Sequence, residues 1–436
     1  MFVLHYPCKW CEILDEVIYK KQSYKVKDGT LDLSDKGIKK ISDIEGLDKL
    51  DHLEKLILSR NEIHKLEGLD HLTGLKYLYL DNDYLEYSAY SAGMISKIEG
   101  LDSLTELLVL DLTLNRITKI EGLDKLVNLQ ELDIFSNCLT EIGGLEHNTN
   151  LMKLNLGGNE IAEIQGLSNQ SNLTFLSLSN SNITHIQNLD NLSNLKTLNL
   201  WYNHINEIRE DDMTHLQSLP KLEELELGGN NITEIKNLHL LPKLKGINLS
   251  MNKIHTISGL DDLPNLESLY LNTNGISNIT GLEHLINLRK LFLYQNVISK
   301  IESLENLRNL RSLSLWHNNI AEIANLESLT NLENLTLSSN QIEEISGLDS
   351  LTNLLRLYLS YNRISKIRGL ENLTKLITLN LEGNNITEVK GLDTLVNLEE
   401  LNLISNLITD RNGGLDKLIK LKNRNFVLID NPRKEK

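Results

Sequence analysis

The chain of 436 residues carries a formal charge of −16 and has a sequence pI near 5.3. That balance argues against nucleic acid as a partner, because phosphates call for a basic face. Three cysteines (Cys8, Cys11, Cys138) are too few for a disulfide framework, and no run of 18 apolar residues predicts a membrane span.

The start, MFVLHYPCKWCEILDEVIYKK, lacks a basic n-region and a clean apolar core, so it does not read as a signal peptide. A soluble intracellular protein is expected: cytoplasmic, or nuclear in a eukaryote. His5, Cys8 and Cys11 have the steps of half a zinc knuckle, but no second ligand pair occurs downstream. The cysteines are read as small apolar contacts, and no cofactor or metal is expected. In CEILDEVIYKK, Ile13, Leu14, Val17 and Ile18 fall on one helical face. Residues 1–27 are therefore expected to form a helical cap over the first open edge of a sheet built by the rest of the chain.

From about Asp28 to residue 420 the chain repeats. A degenerate unit comes first, and sixteen units then open at leucines from Leu53 to Leu398. The consensus is L-x-x-L-x-L-x-x-N-x-I-x-x-I-x-G-L-x-x-L-x-N. L-x-L alternates with period two and predicts a short strand, whereas the later three-residue spacing suits 3₁₀ or single helical turns. One unit cannot bury its leucines alone, so neighbours must stack into a solenoid with one parallel strand per unit. The asparagine at the ninth position carries both a donor and an acceptor. It is expected to satisfy buried backbone groups where the chain leaves the strand, as a structural ladder and not as a catalyst.

This pattern is identified as the leucine-rich repeat in its 22-residue form. It resembles the repeats of the phosphatase-1 nuclear regulatory subunit and of bacterial internalins. The resemblance implies an α/β repeat fold, with a parallel concave sheet and a convex side of 3₁₀ or short helical turns. It also raises phosphatase regulation, or an exported adhesin, beside the leading reading of a protein-binding scaffold. No recurring nucleophile–base set, phosphate loop or paired carboxylates in a defined pocket points to an enzyme.

Two units depart from the period. The one at Leu75 carries an insertion near 84–96 with Tyr84, Tyr87 and Tyr90, a second expected contact site. The one at Leu195 carries an insertion near 207–217, where Glu210, Asp211 and Asp212 read as a solvated turn. At the end, residues 421–436 (with FVLIDNP) are expected to close the far edge of the sheet.

The aromatic residues are the most informative feature. Between Asp28 and Lys420 every Trp, Tyr and Phe outside the first insertion occupies the third, fifth, seventh or eighth position of its unit, and none takes a core leucine slot. Those positions are expected to face outward from the inner sheet surface. Displayed rings are the commonest interface hot spots, although aromatics on strands also stabilise a sheet by cross-strand contact. One expected patch joins Phe175, Trp201 and Tyr202, as a ridge between the bare steps Gly157-Gly158 and Gly228-Gly229. A second runs through Tyr270, Phe292, Tyr294, Trp316 and His317, with Tyr358 and Tyr361 two strands beyond. Tyr77 and Tyr79 lie below the first insertion.

Overall fold

The computed structural model describes residues 16–82 and 94–408, together with the backbone of 426–427. The chain divides into two compact units. One comprises residues up to Asn199 with Ser218–Pro220; the other comprises Leu200–Gln217 and the chain from Lys221 onward.

The first unit opens with an antiparallel hairpin of β1 (Glu16–Tyr19) and β2 (Gln22–Lys25), in place of the expected helix. Burial explains the difference. Val17 is 0% exposed and Tyr19 7%, while Ile18 between them is 40% exposed, an alternation of period two. Lys20 and Lys21 both take positive φ (48° and 66°), as a two-residue hairpin turn of right-handed twist requires. The hairpin still covers the first repeat. Ile18 exchanges both backbone hydrogen bonds with Glu45 at 2.9 Å, and the Tyr19 hydroxyl donates to the Gly37 carbonyl. Residues 1–15, with His5, Cys8 and Cys11, lie outside the described residues, as does the first insertion with Tyr84, Tyr87 and Tyr90.

Eight three-residue strands, from Thr30–Asp32 to Thr197–Asn199, form the first unit's parallel sheet, apart from the hairpin; nine, from Glu224–Glu226 to Glu400–Asn402, occupy the second unit. Within each unit neighbours pair in parallel and in register, so that Leu225, Ile247, Leu269 and Leu291 stand in one row. Phe426–Val427 pairs in parallel with the strand Glu400–Asn402, which places part of the expected closing segment at that edge.

Each of these strands buries its central leucine or isoleucine and turns its flanking residues to the other face of the sheet. Around Leu313, for example, the core is Leu310, Leu315, Ile320, Ile323, Leu326 and Leu329, all nearly inaccessible. On the far side of the repeat the three-residue spacing makes successive turns, such as Leu329 N–H to Leu326 and Leu332 N–H to Leu329. Only three of these segments among the described residues are 3₁₀ helices (Ile41–Asp43, Leu47–Lys49, Leu238–Leu240).

The asparagine ladder has the expected role. Asn318 Nδ2 donates to the carbonyls of Leu315 (3.1 Å) in its own repeat and Leu293 (3.0 Å) in the one before. Its Oδ1 accepts from the Ile298 amide at 3.0 Å. A second ladder, not anticipated from the sequence, uses the last position of the unit: Asn331 Nδ2 donates to the Arg308 carbonyl and Asn353 Nδ2 to Thr330.

The second insertion is also more ordered than its sequence suggests. Glu210–Gln217 forms helix α1, and Asp212 is buried, its Oδ2 accepting from the Arg209 amide at 2.7 Å. A carboxylate in the first turn that reaches back to an orphan N–H is a capping interaction, so the segment is a capped helix in place of the expected turn, with Glu210 and Asp211 exposed on it.

Candidate partner-binding surface

The surface rests on a backbone device. The eighth position is left-handed in the repeat from Leu53 and in all those from Leu107 to Leu398, with φ between 50° and 68°. That residue turns the chain out of the strand, and the asparagine after it locks the turn. Glycine takes it at Gly158, Gly229 and Gly383, but Tyr202, His317 and Tyr361 hold the same conformation. Left-handed backbone is unfavourable for a side-chain-bearing residue. The return is that these three project beside the strand, where they are exposed, Tyr202 at 47% and Tyr361 at 56%.

No described aromatic of the repeats is in the core. Tyr77, Tyr79, Phe135, Phe175, Trp201, Tyr270, Phe292, Tyr294, Trp316 and Tyr358 are all half-buried, each lying against its neighbours with part of its ring open. In the second unit the rings of the expected second patch form two groups. Tyr270 stacks on Phe292 with centroids 4.8 Å apart and planes 8° from parallel. Tyr294 meets Trp316 at 5.7 Å and 46°, and Trp316 meets His317 at 5.7 Å and 45°. The Trp316 indole also donates to Ser339 Oγ at 3.2 Å. The rings of the expected second patch thus fall into a stacked pair, Tyr270 with Phe292, and a cluster of Tyr294, Trp316 and His317. Tyr358 and Tyr361 belong to a repeat two beyond that of Trp316, and the repeat between carries the small side chains of Thr336 and Ser338 at the outward positions. The Tyr361 hydroxyl donates to Glu382 at 2.6 Å, which raises its phenol pKa.

The first expected patch divides between the units. Phe175 belongs to the first; Trp201 and Tyr202, with ring centroids 5.8 Å apart, belong to the second. The glycines are not bare notches. A Cβ on Gly229 would meet the Tyr202 ring at 2.6 Å, one on Gly383 would meet the Tyr361 ring at 2.6 Å, and one on Gly157 would lie 3.1 Å from Phe135. Gly229 and Gly383 are each the seat of a ring from the repeat before, and Gly157 is closed in by Ser179 on one side and Phe135 on the other.

Carboxylates share this face, and reading the rings alone misses them. In the first unit Asp111 and Asp133 occupy the fifth position in the row of Tyr79, and Lys55 lies 4.8 Å over the Tyr79 ring. Burial pushes the Asp111 carboxyl up to about 6, against the hydrogen bonds from Thr113 that lower it. In the second unit burial likewise raises Glu226, as it does Glu224, helped there by the charge of Glu226. The signal was available: the same outward positions that hold rings elsewhere read E-L-E at 224–226.

Comparison with known proteins agrees with the repeat. A family model for leucine-rich repeats in two copies matches residues 127–169, 220–262, 242–284, 286–328, 308–350 and 352–394. No curated protein sequence matches the chain. Among solved structures, a leucine-rich-repeat protein of Leptospira interrogans is 27% identical with a TM-score of 0.69, covering 91% of this chain and 95% of that one. An internalin (InlF) of Listeria monocytogenes is 25% identical with a TM-score of 0.54, covering 90% and 92%. The functional domain of InlJ from the same bacterium, 24% identical with a TM-score of 0.60 over 83% of this chain and 74% of its own, shares the fold. The chain belongs to the leucine-rich-repeat proteins, with repeats like those of the internalins.

Proposed function

We propose that this protein is a non-enzymatic scaffold or regulatory adaptor that grips a protein partner on the ring-bearing face of its sheet. One observation carries the reading. Leucine and isoleucine fill the core, while the aromatic side chains of the described repeats stand on the sheet face. Rings that are not spent on core burial and remain partly wet gain most from being covered by another protein. The leucine-rich-repeat fold is a known protein-interaction scaffold, which supports the same reading. Phe292 and Trp316 are the central anchors; Trp201, Tyr202, Tyr358, Tyr361, Tyr77 and Tyr79 extend the surface. A cytoplasmic location is part of the proposal.

The test is affinity capture from the source lysate with quantitative mass spectrometry, using the wild-type chain against a Trp201→Ala/Trp316→Ala control. Proteins retained by the first and lost by the second support the proposal; identical sets reject it. The likeness to internalin structures favours a second reading, an exported adhesin of the same fold. Cell fractionation separates the two: recovery in the soluble intracellular fraction supports the adaptor, and recovery at the surface or in the medium supports the adhesin.

A further inference from the structure

The outward sheet positions of the second unit are unevenly charged. The chain carries a formal charge of −16, yet from Gly246 to Tyr361 no aspartate or glutamate occupies a third, fifth, seventh or eighth position. Six consecutive repeats are thus without a carboxylate there, between Glu226 on one side and Glu382 on the other. In the first unit the same positions hold Asp81, Asp111, Glu131 and Asp133. Within the six repeats the third position carries two cations, Lys290 and Arg356, both exposed. Among the described residues no ion pair includes either of them. The acids of the flanking second position are taken already, Glu267 by Arg289 at 3.6 Å and Glu333 by Arg311 at 2.8 Å.

The strands Lys290–Phe292, Ser312–Ser314, Asn334–Thr336 and Arg356–Tyr358 are consecutive, parallel and in register. Lys290, Ser312, Asn334 and Arg356 therefore form one row, and Phe292, Ser314, Thr336 and Tyr358 the next. Lys290 and Arg356 are three strand steps apart, roughly 14 Å at the usual parallel spacing. Large side chains stand at both ends of the two rows. Between them come Ser312, Ser314, Asn334 and Thr336, all half-buried and so still open to solvent. Asn334 donates to Ser312 Oγ at 3.3 Å and accepts from Arg356 Nη1 at 3.2 Å. That bond draws the guanidinium one strand inward and leaves most of its N–H donors free. Trp316 borders the recess at the seventh position, its indole donating to Ser339 Oγ in the next repeat. A floor of hydroxyls and one amide thus lies between two cations and two rings.

We propose that this recess receives an acidic segment of the protein partner, its carboxylates pairing with Lys290 and Arg356 while the residues between them lie over Ser314 and Thr336. Charge complementarity carries the choice. In a chain this acidic, a stretch of sheet face without carboxylates and with two unpaired cations is the place where a negative partner is drawn in and a positive one gains nothing. Side chains on one face of an extended segment recur at every second residue, so acids four residues apart are separated by roughly 13 Å, close to the span between the two cations. Arginine can take a carboxylate through two N–H donors, and lysine meets the other as a point charge. The inference rests on the proposed protein-binding role of the face and adds the charge of what the partner presents there.

The probe is a phage-displayed library of random dodecapeptides, selected on the full-length chain. Selected peptides are expected to carry aspartate or glutamate, whose replacement by asparagine or glutamine weakens binding about tenfold or more. Lys290→Gln/Arg356→Gln should lose the same factor and flatten the salt dependence. Lys290→Glu/Arg356→Glu should reject the acidic peptides and bind their lysine-substituted versions, a reversal that damage to the fold does not produce. Unchanged melting midpoints will show that the variants are folded. Peptides that need Phe292 and Trp316 but tolerate the neutral replacements would overturn the acidic segment and leave the binding face standing. A concentration-dependent dimer in light scattering, abolished by Lys290→Gln/Arg356→Gln, would assign the recess to a second copy of the chain and overturn the acidic segment of a partner. Peptides indifferent to all of these changes, or no enriched sequence, would overturn both.

Discussion

The ring of Tyr270 lies one repeat from that of Phe292, 4.8 Å centre to centre and 8° from parallel. Two residues 22 positions apart in sequence are thereby coupled through the stacking of repeats, and the pair serves as both buttress and contact surface. Stacked aromatic pairs contribute about 0.5–1.5 kcal/mol beyond their burial. Phe292→Ala should therefore destabilise the second unit by about 1–2 kcal/mol, while Phe292→Tyr should be nearly neutral. Urea denaturation followed by circular dichroism measures both. A neutral alanine would mean that the stack contributes nothing to the sheet.

The ninth-position ladder predicts a sharper effect. Asn318→Ala leaves the buried Ile298 amide without its acceptor, while the Leu293 and Leu315 carbonyls each lose one of two donors and keep Asn296 and Asn340. An orphaned buried backbone amide costs about 1–3 kcal/mol, which sets the expected loss. Asn331→Ala removes one exposed bond to Arg308 and should cost less than about 1 kcal/mol. Hydrogen exchange at the Ile298 amide gives a local readout: protection should fall in the first variant and persist in the second.

Asp111 gives a pH signature. Its carboxyl is raised to about 6 by burial, whereas an unfolded aspartate titrates near about 4. Between those values the folded state holds a proton that the unfolded state has released, so stability falls as pH rises through that window. Above it the penalty is constant, on the order of 2 kcal/mol. Asp111→Asn should stabilise the protein by about that amount at pH 7.5, with the gain vanishing below about pH 4. The substitution has precedents within the chain. Asn248 and Asn380 occupy the same position and accept from the amide two residues on, as Asp111 does from Thr113. A pH-independent difference between the variants would contradict the burial of this carboxylate.

Gly347 sits at the sixteenth position with φ 67°, where a Cβ would come within 2.7 Å of the Ile323 carbonyl. Gly347→Ala should cost about 2 kcal/mol or more from conformation and contact combined. Gly347→Asn should cost less. At the equivalent position of the preceding repeat Asn325 takes φ 58° and donates to the Ile301 carbonyl at 2.7 Å. Paired thermal melts decide the order of the two.

The repeat is nearly transparent in sequence, because one 22-residue constraint fixes strand, core and turn together: Leu313 must be buried if Leu291 and Leu335 are. The asparagine ladder is legible for the same reason. The features that sequence misreads are local and lack that redundancy. The segment containing Val17 and Ile18 satisfies a helical face as easily as a strand alternation, and only the turn at Lys20-Lys21 and the pairing with Glu45 select the hairpin. Gly229 reads as an empty step because a glycine shows in sequence only what it lacks; the ring of Tyr202 fills the space from the repeat before. Glu224 and Glu226 show in sequence as E-L-E at outward positions, but a charged residue on a strand usually means a wet face, and their partial burial depends on the neighbours.

The most direct test of the binding face is a set of dissociation constants for the captured partner against three variants. Phe292→Ala and Trp316→Ala alter the ring-bearing surface, and Ile286→Ser alters an exposed apolar residue in a turn away from the strands. Losses of about thirtyfold or more, roughly 2 kcal/mol, are expected for the two ring variants, with no change for Ile286→Ser. Full affinity in both ring variants, with loss in Ile286→Ser, would place the partner elsewhere and contradict the account.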